Sequence, residues 1–158
     1  MLEKSDCVAE PGKPSLLITR EFDAAVEDVF NAWTRPEELS QWWDPSGKPL
    51  AVCEIDLRVG GAFRWINQGP LGEKFPFSGV YDEIVPNQKL VFRTRISPEK
   101  GESRGTLVFA ENNGKTTLTL TILYPTVAER EAALGLRIDA GTGRSLQNLA
   151  AYLQRTKS

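Results

Sequence analysis

The chain has 158 residues, 41% apolar and 25% charged, and its 19 basic and 21 acidic side chains leave a formal charge of −2. That length and balance suit one globular domain with a full core; with no basic block, neither nucleic acid nor an anionic membrane surface is an expected partner. Histidine is absent, which excludes Ser-His-Asp and Cys-His chemistry and removes the commonest transition-metal ligand, and two cysteines are too few for a disulfide framework or a thiolate metal site.

Residues 1–14 are polar and punctuated by Pro11, Gly12 and Pro14, and read as a flexible N-terminal arm. Their opening, MLEKSDCVAE, holds acids where a secretory leader needs an apolar run. No stretch reaches the ~18 apolar residues of a membrane span, so a cytoplasmic protein is expected. A single domain is expected over 15–156. SLLITREF (Ser15–Phe22) alternates as a strand does. Asp23 then caps a short helix whose apolar stripe is Ala25, Val29, Phe30 and Trp33. Pro36 opens a second short helix at its first turn, with Glu37 and Glu38 at the positive end.

Six strand-like runs follow, separated by turn signals: Leu50–Leu57, Gly61–Asn67, Phe75–Val85, Lys89–Ile96, Arg104–Glu111 and Thr116–Tyr124. The NNGK between the last two is a hairpin turn. Thr126 and Glu129 form a capping box. Leu134, Ile138, Thr142, Leu146, Leu149 and Leu153 then mark one face of a long helix, to about Gln154. Consecutive hairpins give an antiparallel meander. Its apolar face needs a cover, which the terminal helix has the length and stripe to supply.

Within this order, TRPEELSQWWDP sets Trp42 beside Trp43. Adjacent helical residues differ by about 100° in direction, so the two indoles cannot share a site. One is expected to anchor the short helix on the core and the other to meet the gap under the long helix. The bland alternative is that both plug the core. Inward-facing positions are expected at Phe63 and Trp65, at Phe77, Gly79 and Tyr81, at Leu90, Phe92 and Thr94, and at Leu118, Leu120 and Ile122. Apolar walls with a few polar groups describe a small-molecule pocket; a dry core is the alternative. Glu54 and Asp56 read as a solvated outer face. GTGRS (Gly141–Ser145) lies inside a helical stripe instead of following a strand, so it is not read as a phosphate loop.

Several stretches in this order resemble one superfamily. ITREFDAAVEDVFNAWTRPEELSQWW, DLRVGGAFRW, FSGVYDEIVPNQKLVF and GTGRSLQNLAAYL are similar to segments of the helix-grip superfamily of START lipid-transfer domains, birch-pollen-allergen-like proteins and polyketide cyclases (SRPBCC). Within it, the chain looks most like the family named for the activator of the heat-shock-protein-90 ATPase. The resemblance runs from about Ser15 to Leu153. It implies an α+β helix-grip fold: a curved seven-stranded antiparallel sheet wrapped around a long C-terminal helix, with two short helices after the first strand. Relatives often carry a Trp where this chain has Thr142, so the resemblance implies a different ligand preference here.

The expected function is binding of a small hydrophobic or amphipathic molecule between sheet and helix. The expected lining is Trp33, Trp43, Phe63, Trp65, Phe77, Tyr81, Phe92, Thr142 and Leu146. No metal, nucleotide or other cofactor is expected. One rival reading is an enzyme of the cyclase or dehydratase kind, with Tyr81, Glu83 or Arg64 moving protons or polarising a carbonyl. A second is a protein-interaction module, by analogy with the chaperone activator that names the family, although the sequence itself does not point to a chaperone partner. Homodimerisation through an edge strand is compatible with the architecture.

Overall fold

The computed structural model describes residues 6–8, 12–44, 46, 48–68, 74–94, 102–135 and 138–155. Its strands are β1 (Asp6–Val8), β2 (Ser15–Phe22), β3 (Val52–Ile55), β4 (Ala62–Gln68), β5 (Lys74–Val85), β6 (Lys89–Thr94), β7 (Ser103–Asn112) and β8 (Lys115–Leu123). Its helices are α1 (Val26–Thr34), α2 (Pro36–Leu39), α3 (Val127–Gly135) and α4 (Ile138–Arg155). One antiparallel sheet runs in the order β1-β2-β8-β7-β6-β5-β4-β3. No helix is long and apolar enough to cross a membrane.

The seven expected strands are β2 to β8, and the resemblance to a helix-grip fold holds. Two local expectations change. The N-terminal segment carries an eighth short strand, with Asp6, Cys7 and Val8 opposite Thr19, Ile18 and Leu17. Without it, β2 would present a bare row of backbone donors and acceptors. Asp23 does not cap α1: Ala25 holds that position and makes no side-chain cap. The Val26 N–H instead donates to Glu111 Oε1 at 3.3 Å, so β7 supplies the missing acceptor. The terminal helix is described over Val127–Gly135 as α3 and over Ile138–Arg155 as α4. Of the capping box, the Glu129 N–H donates to Thr126 Oγ1 at 3.1 Å.

Alternation builds the core. Leu16, Ile18 and Phe22 of β2 are buried, as are Leu107 and Phe109 of β7 and Leu118 and Leu120 of β8. All but Leu16 cluster with Leu146, Leu149 and Leu153 of α4 and Val29, Phe30 and Trp33 of α1; Leu16 packs with Tyr124 and with Ala133 of α3. Asn113 (φ 55°) and Gly114 (φ 80°) form the two-residue turn between β7 and β8, left-handed at both central positions as a twisted hairpin requires. A register shift lies between Tyr81 and Glu83, so residues before and after Asp82 keep separate facing patterns.

Candidate functional site

The site begins with the tandem tryptophans. Trp42 is fully buried and its indole N–H donates to the Ala32 carbonyl at 3.1 Å. Its ring packs edge-on against Trp33 at 4.7 Å. Trp43 also packs edge-on against Trp33 at 5.7 Å and Trp42 at 5.8 Å, and it extends the cluster to Trp65 at 4.6 Å and Phe77 at 5.8 Å. Helix α4 holds this turn by its backbone. Ser145 Oγ donates to the Trp43 carbonyl, and Asn148 Nδ2 donates to the Asp44 carbonyl at 3.0 Å.

Beyond Trp43 lies a cavity of about 380 Å³, within the range of small-molecule sites. It sits at one end of the sheet, where β4, β6 and β8 finish and β5 and β7 begin. Trp43, Trp65 and Phe77 form one side, and Trp33 and Phe92 contribute their rings. Across the ends of β6, β7 and β8 the wall continues with Thr94, Ser103, Gly105, Leu120, Ile122 and Tyr124. Ala128, Glu129, Ala132 and Ala133 of α3 and Thr142 of α4 complete the enclosure.

Two glycines let the aromatic wall approach the sheet. Phe92 lies opposite Gly105, and a Cβ on Gly105 would fall inside the Phe92 ring. Phe63 lies opposite Gly79, where a Cβ would meet both the Phe63 ring and the Arg93 carbonyl oxygen. In each pair the ring covers backbone that a larger residue would have shielded.

Six of the nine expected lining residues stand on the cavity wall: Trp33, Trp43, Trp65, Phe77, Phe92 and Thr142. Phe63, Tyr81 and Leu146 do not; they belong to the closed core beside it. The Phe63 ring lies 5.1 Å from Tyr81 and 5.7 Å from Phe92, which fills the space where the expectation placed a ligand. Alternation assigned the right face to all three, but they sit farther along their elements than the opening. Ser103, Tyr124 and the α3 residues were not anticipated as lining. The period-two pattern through Ser103, Gly105, Leu107 and Phe109 is the signal that could have found the first.

The candidate catalytic groups do not converge. Burial pushes the Tyr81 phenol well above its ordinary range, with Cys53 adding to the effect. Glu83 lies on the solvent face, 3.4 Å from Lys89. Arg64 pairs there with Glu54 at 3.5 Å. The Cys53 thiol is pushed up to about 11, chiefly by burial and then by Glu37, which leaves it a poor nucleophile. Among the described residues no group of three or more His, Cys, Asp or Glu could hold a metal ion.

Comparison with known proteins gives a consistent result. The family described as activator of Hsp90 ATPase homolog 1-like protein matches residues 23–154. A Nitrosomonas europaea protein of known structure is 26% identical, with 90% of this chain and 96% of that one covered and a TM-score of 0.82. A Mycobacterium smegmatis protein, 24% identical over 98% and 99% of the two chains, superposes with a TM-score of 0.85. An Arthrobacter aurescens protein at 22% identity, covering 95% and 91%, gives 0.86; the last two likenesses speak to the fold alone. No curated protein matches.

Proposed function

The chain belongs to the family of activator of Hsp90 ATPase homolog 1-like proteins, and on that premise we propose that it binds one small hydrophobic or amphipathic molecule in the cavity beside Trp43. The carrying observation is the cavity itself: about 380 Å³ with aromatic and aliphatic walls and a few hydroxyl groups. At liquid density that volume would hold about a dozen waters, and apolar walls offer them few hydrogen bonds. An apolar guest gains by replacing them. The role expected of a second tryptophan beside an anchored first one falls to Trp43.

The test is native mass spectrometry of the protein incubated with a mixed set of lipids, aromatic polyketides and flavonoids. One adduct per chain is expected, weakened in Phe77→Ala and Trp65→Ala variants. A bound species lighter by one water would bring the cyclase or dehydratase reading forward. No adduct from any class would sink the proposal.

A further inference from the structure

The cavity is largely apolar, with a few hydroxyl groups and one charge on its wall. Over β4 and β5 stand the rings of Trp65 and Phe77, with Trp43 against them. Over β6 to β8 stand Phe92, Leu120 and Ile122 together with Thr94 and Ser103, which face each other in register, and Tyr124 follows the end of β8. Helix α3, which packs against β2 and α4, contributes Glu129.

Among the described lining residues, Glu129 alone carries a charge. Its neighbour Arg130 turns elsewhere: Nη1 donates to the Ser15 carbonyl at 3.2 Å, and Nη2 pairs with Glu131. The hydroxyls of Thr94, Ser103, Tyr124 and Thr142 can each donate or accept, so they do not select the sign of a ligand's head. A carboxylate only accepts. Glu129 is part-exposed, so solvent screens its charge in part, but a like charge held beside it is still disfavoured. The Glu129 N–H bond to Thr126 Oγ1 steadies the helical turn that presents this side chain.

We infer that the ligand is an amphipathic amine. Its apolar body, one or two rings in size, lies on Trp43, Trp65 and Phe77, and its protonated head lies at Glu129 among the hydroxyls of Thr94, Ser103 and Tyr124. Fatty acids and other anionic amphiphiles are disfavoured. This rests on the cavity being the binding site, and it adds the polarity and direction of the guest.

Three probes sharing one body test it: naphthylethylamine, naphthylethanol and naphthylacetic acid, each titrated at neutral pH against the full chain by quenching of tryptophan fluorescence. The amine is expected to bind about tenfold or more tighter than the acid, as one charge-assisted contact supplies, with the alcohol between. Glu129→Gln should level the series while keeping alcohol binding, and Glu129→Lys should reverse the order. An acid that binds as tightly as the amine, or a Glu129→Gln variant with the original order, overturns the inference. If the alcohol binds and Phe77→Ala abolishes it while head groups make no difference, only the inference falls. If no probe binds, the cavity reading falls and takes the inference with it.

Discussion

Ser145 on α4 donates its hydroxyl hydrogen bond to the backbone carbonyl of Trp43, a residue 102 positions earlier in the chain. With Asn148 bonded to the Asp44 carbonyl, the terminal helix grips the turn that presents the aromatic wall. The fold and the site therefore share these bonds. Ser145→Ala leaves a carbonyl without its donor in a part-buried setting, which costs about 1–3 kcal/mol. Chemical denaturation should show a lower midpoint with an unchanged slope, and binding of the neutral naphthyl alcohol should weaken because Trp43 loses its support.

The two adjacent tryptophans should separate stability from binding. Trp42 is fully enclosed and hydrogen-bonded, so Trp42→Ala should cost about 3–5 kcal/mol, seen as a large fall in melting temperature. Trp43 is only half-buried. Trp43→Ala should cost less stability and more affinity for apolar probes. Equal stability losses in the two variants would contradict the division of labour.

At Gly105 the obstacle to a side chain is the ring of Phe92, which can rotate. Gly105→Ala should cost about 1–3 kcal/mol through overpacking, and the displaced ring should narrow the cavity and reduce probe binding. In a Phe92→Ala background the same substitution should cost much less, a coupling that a double-mutant cycle reads directly. Gly79→Ala should be worse, because it also meets the Arg93 carbonyl oxygen, which can yield only if the strand does.

High pH should loosen the helix packing at Tyr152. Its hydroxyl donates to Glu38 Oε1 at 3.0 Å; burial, then that bond, pushes the phenol up from 10.0 to about 12. The folded state keeps the proton longer than the unfolded chain does. The contribution is therefore fully present below about pH 10 and is lost as pH rises towards 12. Tyr152→Phe should flatten that part of the stability–pH curve, measured by denaturant titration at successive pH values.

Much of this architecture was legible because strands and amphipathic helices carry their period in the chain. The alternation of Ser15–Phe22 and of Thr116–Tyr124 located β2 and β8, and Asn113-Gly114 marked the hairpin turn. Other features left little periodic trace. Three residues of β1 are too few to show a period and sit among Pro and Gly. For the site, alternation told which face Phe63, Tyr81 and Leu146 share, but not how far along each element the packing closes. Glu129 shows only its capping pattern in the sequence; its place on the cavity wall depends on how α3 packs against β2 and α4, which no local signal encodes.

The sheet's two outermost strands also bear on how copies of the chain can meet. One is the three-residue β1 and the other the four-residue β3, so each free margin offers only a stub of backbone ladder to a neighbour. A dimer joined margin to margin would rest on few main-chain bonds, and the protein should sediment independently of concentration unless broader surfaces meet. Deleting Asp6–Val8 would bare Leu17–Thr19 in the middle of the eight-residue margin of β2. That shortened chain is expected to self-associate with rising concentration, so three residues of strand act as a guard on colloidal stability.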